Sequence, residues 1–259
     1  HNYHSFPLFF AAAGICDQRL VVTTHYHGGS ANSMRNRLLS LYLPFGRWAV
    51  RRADEVIAVS EWETERLKSD FGVDATVIPN GIEVDRFTDA EPIERERPYL
   101  LTVGRLEEYK GVQYVIRSMA EIPEYDLLVA GSGPYRNELE QIARKAGVSE
   151  QIEFLGYVSD EELSRLYAGA EVYLTMSEFE SYGMTVAEAL AAGTPCLVRD
   201  TAGLGDWTES PGVVALSDVS PKVIAEATRH IAESESEQYI HNSWSDTVDK
   251  LAQVAYRSV

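Results

Sequence analysis

Short β-branched runs alternate with helical stretches along most of this chain, and that alternation limits the fold more than any other feature. Runs over residues 20–24, 55–59 and 76–79 read as buried strands. A second series follows at 99–103, 126–130, 152–155, 172–175 and 196–198, with 213–216 as a further candidate. Strands separated by helices build parallel sheets covered on both faces, so the expected class is α/β. Ser60 with Glu63, and Ser159 with Glu162, have the spacing of capping boxes and open two of the helices. Residues 89–98 are rich in charge and bracketed by Pro92 and Pro98, which reads as a linker. The expected division is therefore a partial first domain over 1–88, a second domain over 89–236, and a C-terminal segment, 237–259, whose helix crosses back to the first domain. Three strands are too few for a full first domain, so roughly a hundred residues of it are expected to lie elsewhere.

Composition narrows the partners. The 259 residues carry a net charge of −17, which argues against duplex nucleic acid. The charge is uneven, because residues 1–60 hold six arginines and only three acids. An end of this kind suits an anionic surface. No apolar run approaches the roughly 18 residues that span a bilayer. The two cysteines, Cys16 and Cys196, are far apart and suit a reduced, cytoplasmic protein rather than a disulfide scaffold.

Candidate chemistry sits where strands give way to helices. The strand at 99–103 runs into Gly104-Arg105, and Lys110-Gly111 opens the next helix. A strand's carboxyl end beside a helix N-terminus is where open α/β sheets hold anions. Arg105 would meet a phosphate with its planar fork and Lys110 as a point charge, although both also read as ordinary solvated cations. The next strand ends in Gly131-Ser132-Gly133-Pro134. This is not a dinucleotide fingerprint, since Arg136 holds the third glycine position. Gly133 would allow close backbone approach to a phosphate or sugar, or simply turn the chain. The sharpest signal is the stretch from Ser177 to Pro195. A turn bearing Glu178 and Glu180 leads to a helix starting near Gly183 and closed by Gly193. Amides at that start, around Gly183, Met184 and Thr185, could hold a β-phosphate. Glu180 and Glu188 stand eight residues apart, just over two helical turns, which would bring them near one face. Acids beside an anion site make sense as acceptors for sugar and ribose hydroxyls.

Four stretches in order resemble family 4 of the retaining GT-B glycosyltransferases. Val77-Ile78-Pro79-Asn80-Gly81-Ile82-Glu83-Val84-Asp85-Arg86-Phe87 is similar to that family's domain-connecting signature. Val103-Gly104-Arg105 with Lys110-Gly111 resembles its diphosphate site, and Phe154-Leu155-Gly156-Tyr157-Val158 with Leu163 its base-contacting loop. Glu180 to Glu188 resembles its signature Glu-x7-Glu motif. The resemblance implies a GT-B-like fold of two Rossmann-type domains with parallel sheets, the N-terminal one incomplete in this chain. It implies a retaining hexosyltransferase that moves a sugar from a nucleoside-diphosphate sugar to an acceptor, with lipid-linked and glycan acceptors both open.

It also implies roles. Arg105 and Lys110 would neutralise the leaving diphosphate, Glu188 would bind the ribose hydroxyls, and Glu180 would contact the transferred sugar. Backbone at Tyr157 and Val158 would hold the base. Gly104, Gly133, Ser181, Tyr182, Gly183, Met184 and Thr185 would line the donor. His25 matches the family's active-site histidine and would face donor sugar or acceptor. Two departures stand out: Ser181-Tyr182-Gly183 replaces the usual Gly-Phe-Gly, and residues 201–207 fit the acceptor-side loop only loosely.

No cofactor and no metal is expected, since no Asp-x-Asp pair is found and two cations could replace a metal ion. Residues 34–52 interleave Arg35, Arg37, Arg47, Arg51 and Arg52 with apolar side chains. They read equally as a peripheral contact with the inner membrane face or as a core helix, interrupted by Pro44 and Gly46. The rivals to a transferase are a phosphorylase or epimerase of the same fold, and a nucleotide-sugar-binding fragment without turnover.

Overall fold

Among the described residues every strand pairing is parallel. The protein is described as a computed structural model over residues 13–14, 19–26, 43–234 and 241–256. The chain divides into two units, one of residues 1–81, 179–182 and 242–259, the other of residues 82–178 and 183–241. The boundary falls at Gly81/Ile82, earlier than the 88/89 expected. Residues 89–98 lie inside the second unit, where the Ile93 N–H donates to the Arg165 carbonyl (3.2 Å). Proline and charge are equally suited to a surface loop and to a linker, which is why the composition misled.

The first unit holds a sheet in the order β1 (Val21–Thr23), β2 (Glu55–Ala58), β3 (Thr76–Val77). Helix α1 (Glu61–Phe71) follows β2. Ser60 caps it by accepting from the Glu63 N–H (3.1 Å), and Gly72, at φ 67, closes it. The expected capping box is only half present, because the Glu63 carboxylate turns instead to the Val59 N–H (2.7 Å) and the end of β1. Residues 43–50 are helical, Pro44 and Gly46 among them. The C-terminal helix of this unit (Trp244–Ala255) opens with a full capping box between Ser243 and Asp246. Its Val254 packs with Ile57 and Ile78, and the Thr247 hydroxyl donates to the Pro79 carbonyl (3.0 Å). Gly81 is required by this packing, since a Cβ there would lie 2.5 Å from the Trp244 Cα.

In the second unit, α2 (Val84–Thr88) precedes a six-stranded sheet ordered β6 (Ile152–Gly156), β5 (Asp126–Ala130), β4 (Tyr99–Val103), β7 (Val172–Thr175), β8 (Cys196–Arg199), β9 (Val213–Leu216). The central strands are almost wholly buried and carry Leu100, Leu101, Val172, Leu174, Leu197 and Val198 at 0% exposure. That is why they read as continuous apolar runs. Helices α3 (Val112–Ser118), α4 (Arg136–Ala146) and α7 (Pro221–Ala232) bury Val115, Ile116, Leu139, Ile142, Ile224 and Ile231 in one cluster with the sheet. On the other side α2 packs with α5 (Asp160–Gly169) and α6 (Met184–Ala191), where Phe87, Tyr167 and Tyr173 meet edge to face.

Candidate functional site

From β4 the chain winds outward through β5 to β6, and from β7 it winds the other way through β8 to β9. The strand order therefore reverses between β4 and β7, the place where open parallel sheets form a binding crevice at their carboxyl ends. The loops leaving those two strands carry Gly104, Arg105 and Lys110 on one side and Gly183 to Thr185 on the other.

These loops are held together by backbone contacts that only glycine allows. Gly104 N–H donates to the Ala130 carbonyl (2.9 Å), and Gly131 N–H to the Gly156 carbonyl (2.7 Å), linking the ends of β4, β5 and β6. A Cβ on Gly131 would fall 1.9 Å from the Gly104 oxygen, and one on Gly133 would fall 2.3 Å from the Leu106 oxygen. Gly133 is thus pressed on the Leu106 backbone. Across the switch point, Glu178 N–H donates to the Tyr109 carbonyl (2.8 Å). A Cβ on Gly111 would lie 2.1 Å from the Met176 oxygen. Gly111 also has φ 75, whereas Gly147 has φ 73 with open space around it. Gly147→Ala should therefore cost only the left-handed strain, about 1–2 kcal/mol. Gly111→Ala should add overpacking, for a total of about 2–5 kcal/mol. Denaturant unfolding of both variants checks this, and equal losses would show that the Gly111 contact is not what holds the two loops together.

Arg105 follows Gly104 with its side chain 70% exposed, paired to Glu107 (3.0 Å). Lys110 ends the 3-10 turn Glu108–Lys110, its Nζ 5.5 Å from the Tyr109 ring centroid. Gly183, at φ 91, sits just before α6, and a Cβ there would come within 2.9 Å of Leu204 and 3.3 Å of the Trp207 Nε1. Its carbonyl accepts from Val186 and Ala187, leaving the Met184 and Thr185 amides with no acceptor inside the helix. The Thr185 hydroxyl accepts from Tyr173 OH (2.7 Å). Glu188 is half-buried on α6, and its Oε2 accepts from the Tyr167 hydroxyl (3.2 Å). Burial pushes the Glu188 carboxyl above the usual range, while the Tyr167 bond and the nearby Arg86 guanidinium pull it down.

Tyr157 is 86% exposed and Val158 half-buried after β6, where Gly156 turns at φ 72. Ser181 and Tyr182 are buried. Glu180 lies in the turn before α6, so the helical spacing that would place it on one face with Glu188 does not apply. Glu180, Ser181 and Tyr182 fall in the first unit, as does His25 beyond β1, with φ 48. In the second unit Gly104, Arg105 and Lys110 thus follow β4, Gly133 follows β5, Tyr157 and Val158 follow β6, and Gly183, Met184, Thr185 and Glu188 lie at the start of α6 or within it.

Three sets of interactions escaped the sequence reading. Arg86 pairs with Glu83 (3.1 Å) and Asp160 (3.4 Å) near Glu188. Arg199 pairs with Glu178 (3.0 Å) across the ends of β8 and β7. Glu63 is buried at the end of β1. The pairings of Arg86 with Asp160, Arg199 with Glu178 and Glu63 with Thr24 join residues distant in sequence, and no local pattern announces them. Of the basic stretch 34–52, residues 34–42 lie outside the described residues. Arg47 donates to the Asp70 carbonyl (2.7 Å) and Arg51 to the Phe71 carbonyl (2.8 Å), so both serve the C-terminus of α1. Phe45, Trp48 and Arg52 remain exposed there. Among the described residues, no helix is long and apolar enough to cross a membrane. Cys196 is buried, and Cys16 lies outside the described residues.

A doubly wound parallel sheet with a crevice at its switch point defines an α/β protein of the Rossmann-like class. The chain belongs to the glycosyl transferases group 1 family, whose model matches residues 83–244, and the Glycosyltransferase Family 4 model matches residues 1–86. It is similar to an uncharacterized glycosyltransferase of Methanocaldococcus jannaschii, 35% identical over 58% of this chain and 43% of that protein. It is also similar to the GDP-mannose-dependent alpha-(1-6)-phosphatidylinositol monomannoside mannosyltransferase of Mycolicibacterium smegmatis, 31% identical over 72% of this chain and 53% of that one. The chain spans about half the length of these curated relatives. Among solved structures, the Anabaena HepE protein in complex with UDP and glucose superposes with a TM-score of 0.81 over 96% of this chain and 74% of its own, at 19% identity. The fold is α/β and GT-B-like, with parallel sheets.

Proposed function

We propose that this protein transfers a sugar, with retention, from a nucleoside-diphosphate sugar to an acceptor. The observation that carries this is that Arg105 and Lys110 follow β4 and the α6 N-terminus follows β7, on the two sides of the switch point, with Glu188 on α6. Relatives support it by their names: one is GDP-mannose-dependent, and one neighbour is a complex with UDP and glucose.

Cleavage of the sugar–phosphate bond leaves a diphosphate whose charge grows as the bond lengthens. Catalysis then requires fixed positive groups at that position. Arg105 is an exposed ion pair with Glu107, and such a pair is worth at most about 1 kcal/mol, so the guanidinium is free to exchange its partner for phosphate. Lys110 adds a second charge, and the Met184 and Thr185 amides add dipoles. Glu188 accepts from the ribose hydroxyls, Glu180 and His25 act at the sugar, and the backbone at Tyr157 and Val158 meets the base.

The test is thermal shift and calorimetry with UDP, GDP and ADP, with and without EDTA. A nucleoside diphosphate at about a hundred times its dissociation constant should stabilise the protein by about 2.7 kcal/mol. EDTA should leave that unchanged, since Arg105 and Lys110 supply the charge. Failure of all three nucleotides, with binding of a sugar phosphate instead, would establish the phosphorylase reading. Binding without transfer would leave a binding protein.

A further inference from the structure

His25 adopts φ 48, the left-handed region, where a residue with a Cβ is strained by about 1–2 kcal/mol. Strain of this kind persists only where the surroundings impose it. The residues on either side are held by one side chain. Glu63, with 0% exposure, accepts through Oε1 from the Thr24 hydroxyl (2.5 Å) and from the Tyr26 backbone N–H. Its Oε2 accepts from the Val59 N–H (2.7 Å) at the end of β2. Tyr26 is fixed a second time, by its hydroxyl to Asp70 Oδ2 (3.0 Å) and by its ring, edge-on to Phe71 at 4.8 Å.

A residue in the first turn of a helix needs no burial to serve as a cap, and withdrawing a carboxylate from water costs several kcal/mol. Burial indeed pushes the Glu63 carboxyl up, and its three hydrogen bonds oppose the rise. Ser60 already caps α1. The carboxylate is therefore spent on the turn 24–26 and on tying that turn to β2.

We propose that Glu63 is a positioning residue for His25: it clamps Thr24 and Tyr26 to the end of β2 and so sets the backbone conformation from which the imidazole acts. This rests on reading His25 as an active-site group. Glu63 itself touches no substrate in this account.

The test uses Glu63→Gln and Thr24→Val, each alone and combined with His25→Ala. Gln keeps one oxygen but turns an amide NH2 toward at least one donor that now meets a carboxylate oxygen. Thr24→Val keeps the carboxylate and two of its three bonds, so it carries the test should Glu63→Gln fail to fold. Three readouts apply: calorimetric binding of UDP or GDP, release of that nucleotide from UDP-glucose or GDP-mannose, and the three-bond amide–Hα coupling of His25 by NMR, which reports φ. Glu63→Gln should slow release about tenfold or more. Nucleotide affinity should stay within about twofold, since Arg105, Lys110, Glu188, Tyr157 and Val158, the residues proposed to meet the nucleotide, belong to the second unit. In the His25→Ala background the same change should cost less than about twofold, the signature of two residues acting as one. Thr24→Val should move the coupling and the rate in the same direction by less. Equal losses with and without His25, or an unmoved coupling in both variants, would overturn the proposal. If His25→Ala alone leaves release unchanged, the active-site reading of His25 fails instead, and the coupling still decides whether Glu63 sets its conformation.

Discussion

Lys110→Ala is expected to slow release of nucleoside diphosphate from its sugar donor by about a hundred- to a thousandfold, the loss seen when one preorganised donor to a developing anion is removed. The melting temperature should scarcely move. Lys110 is half-buried at the end of a 3-10 turn that contributes no buried residue. Surface substitutions of this kind stay within about 0.5 kcal/mol. Lys110→Arg should recover part of the rate, because charge is kept while the compact ammonium is exchanged for a broad fork. Arg105→Ala should cost less, since its side chain is 70% exposed to water, which screens it. The measurement is single-turnover release of nucleotide beside thermal unfolding for all three variants. A Lys110→Ala protein within about threefold of the parent rate would remove this lysine from the leaving-group site.

Much of this fold was legible because parallel strands advertise themselves. Strands β4, β5, β7 and β9 begin and end on the residues that their apolar runs mark out. Burial on both faces leaves no polar alternation to blur the ends. At the margins the signal failed. Residues 76–79 read as a strand of four, but the strand covers only Thr76 and Val77, with the Ile78 N–H still donating to the Ala58 carbonyl (2.9 Å) just before Pro79. The glycines were visible as turn formers, whereas the reason for Gly111 and Gly131 lies in backbone approaching from another loop. That information is three-dimensional and leaves no local trace. Glu63 shows the same limit. Its spacing from Ser60 announced a cap, and the cap exists, yet the carboxylate is employed some 39 residues upstream on Thr24.

The largest effect on nucleotide binding should come from Glu188. If it accepts from both ribose hydroxyls, those bonds exist in substrate, transition state and free nucleotide alike. Removing them should weaken UDP or GDP binding itself, by roughly ten- to a hundredfold at about 1.5–3 kcal/mol per charged hydrogen bond. The structure adds a complication. Glu188→Ala also strands the fully buried Tyr167 hydroxyl, at a cost of about 1–3 kcal/mol in stability. Adding Tyr167→Phe removes both partners, so the double variant should regain stability without regaining affinity. Glu180 should behave differently. It stands in the turn before α6, and its proposed contact is with the sugar, where positive charge grows as the glycosidic bond lengthens. Glu180→Gln should therefore hold nucleotide affinity within about threefold while cutting turnover far more. Calorimetry with the bare nucleotide, beside release rates from the sugar nucleotide, separates the two. Should Glu180→Gln abolish nucleotide binding while the Glu188→Ala, Tyr167→Phe double variant binds normally, the two glutamates have been given each other's roles.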